Sequence, residues 1–342
     1  MDSLTQIALG SAVGVAVMGR RTTVGKAALW GAVAGTLPDL DAFIDHGDAI
    51  LNMTRHRAES HALLFLTLAA PLLAWGASRL HSEPSLFRRW WLALWLALIT
   101  HPLLDVMTVY GTQWLQPFSS HPFGVGSIFI IDPLYTVPLI AGVAMALRLK
   151  SGRGLRWNAA GLALSTLYLG ASVLAQQQAT QVARAALQAE GIDAGGLLVT
   201  PAPFSIVLWR LVATTPTQYF ESHYSLLDAS PALRWTAHDR GAALIAQHGN
   251  APSVARIAAF SHGFYRLSES GGRLFVTDLR MGMEPAYTFH FDLGPTDALA
   301  GQGVAPRLQS QRPDLPSALP WLWQRLWGQA VPPLSMQPAS PA

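Results

Sequence analysis

The sequence has no cysteine among its 342 residues. This absence excludes disulfide bonds, zinc ribbons and thiol catalysis, so any metal must be held by histidine, aspartate, glutamate or carbonyl oxygens. Charged residues are also scarce, at 13% of the chain, whereas hydrophobic residues make up 51%. Soluble domains carry about 25% charged residues. The composition therefore indicates a membrane protein, or a membrane domain joined to a soluble one.

The charge balance argues against a nucleic-acid-binding protein. A formal net charge of +3 is too small to indicate a nucleic-acid partner, and we expect none.

The N-terminus lacks the basic region of a signal peptide, because Met1 is followed by Asp2 and the first arginines, Arg20 and Arg21, come after the apolar stretch. We therefore expect no cleavable signal peptide and an N-terminus on the outer side of the membrane.

Six apolar segments precede residue 176. The last four are long enough, or nearly so, to cross about 30 Å of hydrocarbon at about 1.5 Å per residue. The first two are shorter and rich in glycine and alanine, which predicts a tight helical hairpin with small-residue packing. "SLTQ" at positions 3–6 is typical of a capping box and predicts the start of the first helix. The segments are Leu4–Met18, Val24–Leu37, His61–Leu80, Trp90–Leu104, Ile128–Leu147 and Trp157–Ala175.

Basic residues cluster in three loops between these segments, at Arg20–Lys26, Arg79–Arg89 and Arg148–Arg156. If every segment spans the membrane, all three clusters lie on one side, which the positive-inside rule predicts to be cytoplasmic. Loops 38–60 and 106–127 and the second half of the chain then lie on the other side. In the inner membrane of a Gram-negative bacterium, that side is the periplasm.

The second half of the chain changes character. Gln176–Glu190 is a polar stretch with helical composition, and it is followed by the strand-like runs "FSIVLWRLVAT", "RLFVTDLRM" and "YTFHFDL". The turn signal "SESGG" predicts a hairpin. The predicted fold is a multi-pass α-helical membrane domain, residues 1–175, followed by a soluble α+β domain, residues 176–329, and a disordered tail, residues 330–342.

The remaining ionisable residues gather at the opposite helix ends from the basic loops. Imidazoles and carboxylates without thiols are ligands for a divalent metal, zinc first, with manganese or iron as alternatives. A metal of this kind lowers the pKa of a bound water and polarises a phosphoryl or acyl oxygen. His101 and Asp105 share one face of a helix. The candidate ligands are Asp39, Asp41, His56, His61, His101, Asp105 and Asp132.

Ordinary structural roles remain open for several of these residues. His101 is compatible with a histidine at the membrane interface. Asp39 and Asp41 follow a proline and are compatible with turn caps. Asp132 precedes a proline and is compatible with a helix cap, and Glu59 with a solvated loop. Against these roles stands the cost of ionisable groups near hydrocarbon, which favours pairing or metal binding.

Several motifs resemble the YdjM-like family of bacterial inner-membrane, metal-dependent hydrolases. They are "MDSLTQIALG", "GAVAGTLPDLD", "RHRAESHALL", "THPLLDVMTVYGTQWLQPFS" and "IDPLYTVPLIAG", in this order. In the second half, "PFSIVLWRLV" and "HYSLLD" resemble longer members that carry a soluble C-terminal domain. The resemblance implies a multi-pass membrane protein with a His/Asp metal site and hydrolase activity. Carried over by motif, the implied metal ligands are Asp2, Asp39, Asp41, His56, His61, His101, Asp105 and Asp132.

The chain departs from the family pattern at one place. The usual "HRxxTHSL" reads "HRAESHAL", so that Ser60 replaces a common threonine and Ala62 a common serine. Both histidines, His56 and His61, are retained. The departure therefore concerns a hydroxyl beside the ligands and not the ligands themselves.

Two functions of different classes follow from these observations. The first is a membrane-embedded hydrolase that acts at the periplasmic face on a lipid, or on another membrane-associated ester or phosphodiester, with Arg55 or Arg57 holding a phosphate. Membrane lipids are its expected partners, and the sequence identifies no protein partner. The second is a non-enzymatic binding or regulatory membrane protein with a structural metal or polar cluster. The catalytic residues predicted for the hydrolase are Asp41, His61, His101 and Asp105.

Overall fold

The computed structural model describes residues 1–230, 233–296, 305–311 and 313–336. The chain separates into two compact units. The first consists of Met1–Ile44, Arg55–Val173 and Pro203–Ser205, and the second of Asp45–Thr54, Leu174–Ala202 and Ile206–Ala342. Of the predicted disordered tail, residues 337–342 lie outside the described residues, and Leu334–Met336 form a 3-10 turn.

The described residues before Glu190 form seven α-helices. Six of them overlap the six predicted apolar segments, and the seventh, α3, lies in a stretch predicted as loop. Short 3-10 turns at Pro38–Phe43 and Glu59–His61 follow α2 and α3. The helices are α1 (Ser3–Met18), α2 (Val24–Thr36), α3 (Ala49–Arg55), α4 (Leu63–Leu80), α5 (Phe87–Val106), α6 (Pro133–Leu149) and α7 (Gly152–Ala189).

Two helices within the described chain are long and apolar enough to cross a membrane, namely α4 and α7. Helices α1 and α6 are apolar but shorter. The helical character of the N-terminal region is therefore as predicted, whereas its multiple membrane crossings and the sidedness of its loops stay predictions.

Helices α1 and α2 pack as the predicted glycine-rich hairpin. A Cβ atom on Gly10 would lie 2.2 Å from the Gly31 carbonyl oxygen, and one on Gly31 would lie 2.2 Å from the Gly10 oxygen. One turn further along α2, a Cβ on Gly35 would lie 2.6 Å from the Gln6 oxygen. The two backbones approach this closely because glycines lie at the points of nearest contact.

Helix α7 continues through the point where the composition changes. The sequence predicts an apolar segment that ends at Ala175 and a separate polar stretch from Gln176, but the structure has one helix of 38 residues. Glutamine and alanine, which dominate residues 176–189, are good helix formers, so a loss of hydrophobicity does not end the helix. The Arg55–Val173 segment of the first unit ends within this helix.

The second unit contains the predicted strands and has the predicted α+β character. One four-stranded antiparallel sheet has the order β1-β2-β3-β4, and another has the order β10-β9-β6-β5. The predicted hairpin joins β5 to β6 through Gly271 and Gly272, whose φ angles of +57° and +71° suit glycine in a two-residue turn. The first sheet comprises β1 (Gly196–Pro201), β2 (Leu208–Thr214), β3 (Gln218–Ser225) and β4 (Thr236–Asp239). The second comprises β5 (Tyr265–Ser270), β6 (Arg273–Asp278), β9 (His290–Pro295) and β10 (Arg307–Leu308). The short pair β7 (Gly282–Met283) and β8 (Ala286–Tyr287) and the helices α8 (Ala242–His248), α9 (Pro252–Phe260) and α10 (Leu315–Leu326) complete the unit.

Candidate metal centre

Three segments of the first unit bring four side chains to one point. Asp39 comes from the 3-10 turn after α2, and His61 comes from the 3-10 turn before α4. His101 and Asp105 lie one turn apart near the end of α5. Their ligand atoms all lie within 4.8 Å of one another, and His61, His101 and Asp105 are fully buried.

The distances between these atoms match the edges of a metal-centred tetrahedron. His61 Nε2 and His101 Nε2 are 3.1 Å apart. Asp39 Oδ1 lies 3.4 Å from each of these nitrogens, and Asp105 Oδ2 lies 3.3 Å from the first and 3.5 Å from the second. Ligands about 2.0–2.2 Å from a central ion are about 3.3–3.6 Å apart in a tetrahedron. Four of the five distances lie within this range, and the two histidine nitrogens are closer together, so the cluster approximates the site of one tetrahedral cation of zinc size.

The hydrogen bonds of the two histidines point their free lone pairs at this centre. His101 Nδ1 lies 2.6 Å from the Gly35 carbonyl oxygen, which can only accept, so Nδ1 donates. Ser60 Oγ donates to an Asp41 oxygen at 2.5 Å, so its oxygen accepts from His61 Nδ1 at 2.9 Å. In the neutral form each ring then carries its proton on Nδ1 and presents an unprotonated Nε2 inward. Outward-facing donor bonds of this kind are the usual support of histidines that bind metal.

Asp105 supplies a buried oxygen that hydrogen bonds leave unsatisfied. Its Oδ1 accepts from Gln6 Nε2 at 3.0 Å and also contacts the α-amino group of Met1. Its Oδ2 accepts no well-aligned hydrogen bond from the described residues, although Arg57 Nε lies 3.1 Å away. A buried carboxylate oxygen without a hydrogen bond is costly. A cation among the four ligand atoms would satisfy it.

The local charge also favours a cation. The ion pairs of Asp39 and Asp41 in the described chain are all with histidines, which are charged only when protonated. Burial lowers the pKa of His61, but the carboxylates of Asp105, Asp39 and Asp41 outweigh burial and raise that pKa to about 9. Burial raises the pKa of Asp39, but the imidazoles beside it hold that pKa below its usual range. A bound metal would take the place of the proton on His61.

Asp41 and His56 form an outer layer around this cluster. Asp41 accepts from Ser60, from the backbone N–H of Arg57 at 3.0 Å and from His56 Nδ1 at 2.8 Å. Burial raises the pKa of Asp41, but the hydrogen bond from His56 and the His61 imidazole nearby hold it below its usual range. Asp41 thus orients His61 through the Ser60 hydroxyl and lies outside the group of four.

Asp2 and Asp132 also lie outside the four-residue group, and both are helix caps. Asp2 caps α1 by accepting from the Thr5 N–H at 3.1 Å, a role that the capping-box pattern assigns to Ser3. Asp132 caps α6 by accepting from the Leu134 N–H at 3.0 Å, and its second oxygen accepts from Tyr168 at 2.8 Å.

The two arginines proposed to hold a phosphate occupy different environments. Arg55 is exposed at the end of α3. Arg57 is buried with a left-handed φ of +66°, and its guanidinium faces Asp105 and donates to Thr108 Oγ1 at 3.2 Å. Arg57 therefore neutralises a carboxylate of the cluster.

The sequence did not predict two groups that support the site, the Gln6 side chain and the Gly35 carbonyl. Gln6, assigned by pattern to a capping box, instead donates to Asp105 Oδ1 and to the His101 carbonyl oxygen at 3.3 Å. The Gly35 carbonyl holds His101. A buried glutamine in an apolar helix is a sequence signal for such a polar partner, whereas a backbone carbonyl leaves no signal in the sequence.

Comparisons with known proteins give one family and two relatives, and the family and one relative are named as inner membrane proteins. A family model described as YdjM inner membrane protein matches residues 1–179. The chain is 24% identical over 248 residues to "Uncharacterized protein YfhP" of Bacillus subtilis (strain 168), which covers 67% of this chain and 71% of the relative. It is 35% identical over 96 residues to "Inner membrane protein YbcI" of Escherichia coli (strain K12), which covers 27% of this chain and 54% of the relative. No solved structure shows a significant match.

Proposed function

The chain belongs to the YdjM inner membrane protein family, and from the geometry of its His/Asp cluster we propose that it is a membrane-embedded, metal-dependent hydrolase. One observation carries the proposal. Three ligands, His61, His101 and Asp105, have fully buried side chains, whereas the side chain of the fourth, Asp39, is 20% exposed.

Two histidines and one carboxylate are a ligand set of catalytic zinc sites, in which the fourth position is left to water or substrate. The same set with open positions also suits iron. In this protein Asp39 occupies that fourth position from a 3-10 turn, and it is the one ligand of the four whose side chain is partly exposed. A substrate would approach from this side, because the other three ligands are closed off by packing.

Each side chain then has a separate role. When bound, the cation would supply Lewis acidity toward an ester or phosphoryl oxygen and would acidify water. His61 and His101 hold their orientation through Ser60 and the Gly35 carbonyl. Asp39 would hold the cation through Oδ1, which faces the two histidines, and its other oxygen would accept the proton of a water that attacks the ester or phosphoryl centre. The bond to the leaving oxygen then breaks, and that oxygen takes the proton back from Asp39. Arg57 offsets the charge of Asp105.

The substrate class follows from the location in the inner membrane. An ester or phosphodiester of a membrane lipid can reach a site at the membrane face by lateral diffusion. The one-sided distribution of basic loops supports the periplasmic face. Zinc is the first candidate metal because the ligand distances fit a tetrahedron, with manganese or iron as alternatives.

The test is a hydrolysis assay on the full chain in nanodiscs of bacterial phospholipid, loaded in turn with zinc, manganese or iron. Release of fatty acid or phosphorylated head group should depend on the metal. It should fall by orders of magnitude in Asp39→Asn, while metal affinity falls by no more than about a hundredfold because three ligands and the amide oxygen remain. A metal-loaded, folded protein that turns over no lipid ester or phosphodiester would refute the hydrolase.

A structural metal is the second candidate, and one observation favours it. Four protein ligands in a tetrahedron are typical of closed structural zinc sites. For this function Asp39→Asn would lower the thermal stability of the metal-loaded protein as much as Asp105→Asn does. For a hydrolase, Asp39→Asn would remove turnover with a smaller loss of stability.

A further inference from the structure

Helix α10 is apolar on its outer face as well as on its inner face. Four residues spaced four apart form an exposed stripe, which we call the α10 stripe. Arg325 is the single charged residue of this helix, and its side chain faces inward to Asp228, with nitrogen–oxygen distances of 2.5 and 2.6 Å. The α10 stripe consists of Leu315, Leu319, Trp323 and Trp327, which are 57%, 50%, 63% and 54% exposed.

The inner face holds α10 firmly in place. Trp321 is 3% exposed, and its ring lies edge-on to His223 at 4.8 Å. Its indole N–H donates to the Pro332 carbonyl oxygen at 2.8 Å, and Ser225 Oγ donates to the Leu326 carbonyl oxygen at 2.6 Å. The exposure of the outer face is thus a fixed feature of the second unit and does not reflect a loosely attached helix.

A helix that buries one apolar face and carries a second apolar stripe on its outer side is expected to be covered on both. Tryptophan is the residue enriched where lipid head groups meet hydrocarbon, because its ring is apolar and its N–H is polar. The stripe carries two tryptophans whose rings meet edge-on at 5.6 Å. Leucine and tryptophan on one face are the composition of helices that lie in a membrane interface.

The same unit is attached to a candidate membrane span without an intervening loop. Helix α7 runs unbroken from its apolar part into the second unit, where Ala175, Ala179, Ala183 and Leu187 are buried at intervals of four. Gln176 Nε2 also donates to the Val199 carbonyl oxygen at 2.9 Å within this unit. Residues 176–189 extend the helix by only about 20 Å. The bilayer is therefore the apolar phase nearest to the second unit.

We propose that the α10 stripe inserts into the surface of the phospholipid bilayer and anchors the second unit to the membrane. Its ligand is the interface of a lipid membrane rather than a protein groove. The anchor is independent of the hydrolase, since it uses none of the residues of the metal centre.

The absence of cysteine permits a direct test, because a single introduced cysteine takes a spin label at one place. Leu319→Cys and Trp323→Cys, labelled in the full chain with one copy per phospholipid nanodisc, should collide more with oxygen and less with a water-soluble nickel chelate. The oxygen-to-nickel ratio should be several-fold above that of Ala255→Cys, an exposed position on α9.

Other partners of the α10 stripe would give different results. If another part of the chain covers the stripe, collisions with both oxygen and the nickel chelate should fall. If a second copy of the protein covers it, collisions should fall only in discs that hold two copies. Either result would overturn the proposal. Collision rates at Leu319 and Trp323 equal to those at Ala255 would overturn it as well.

Discussion

The Ser60 hydroxyl connects two side chains of the site, since it donates to Asp41 and accepts from His61 Nδ1. Ser60→Ala should lower metal affinity by about tenfold to a hundredfold, because His61 loses the partner that fixes its proton on Nδ1. Ser60→Thr keeps the hydroxyl and should retain the affinity. Metal titration of the two purified variants measures the difference. Equal losses in both would show that side-chain volume, and not the hydroxyl, supports the site.

At this scale the predicted set of ligands includes all four residues that the structure brings together, and their binding of a metal stays a prediction. Asp39, His61, His101 and Asp105 were all in the predicted set, because ionisable residues at helix ends in an apolar region are few. The sequence could not separate them from Asp2 and Asp132. A carboxylate beside a helix start can cap the backbone or turn to a neighbouring segment, and the choice depends on the packing of segments far apart in sequence.

At the scale of elements, the close pairing of α1 and α2 sets the position of the Gly35 carbonyl, and thereby of His101. Gly31→Ala should destabilise the protein by about 1–3 kcal/mol, since its Cβ would meet the Gly10 backbone oxygen. Metal affinity should fall with it. Gly25→Ala is the matched control in the same helix, because a Cβ there meets nothing within 4 Å.

Thermal unfolding of both variants, with and without added metal, tests this coupling between the hairpin and the site. A Gly31→Ala protein as stable as the Gly25→Ala protein would contradict it.

The hairpin itself was predictable from the glycine spacing. The 3-10 turns that carry Asp39 and His61 were not, because short turns have no periodic signal in the sequence.

At the scale of the whole molecule, the membrane topology is the largest feature that remains a prediction. Composition predicted the helical first half and the α+β second half. It also predicted a domain boundary at residues 175–176, and the continuous α7 runs across that position, since hydrophobicity and helix propensity change independently along a chain. Sidedness depends on which charged loops are retained in the cytoplasm during insertion and not on how the helices pack.

We expect the second unit to be periplasmic. Alkaline phosphatase, which is active only after export, should be active when it is fused after Glu190, and a fluorescent protein that folds only in the cytoplasm should be dark there. The same reporters fused within Arg148–Arg156 should give the opposite pattern. Cytoplasmic activity after Glu190 would reverse the topology and move the metal centre to the cytoplasmic face.

The most direct measurement of the central claim is the metal content of the purified full chain, determined by elemental analysis beside His101→Ala and His121→Ala. Wild type should hold about one divalent cation per chain. His101→Ala should lose most of it, and His121→Ala, which changes an exposed histidine, should retain it. A wild-type protein without metal after growth and loading with zinc, manganese and iron, or a His101→Ala protein with unchanged metal content, would contradict the account.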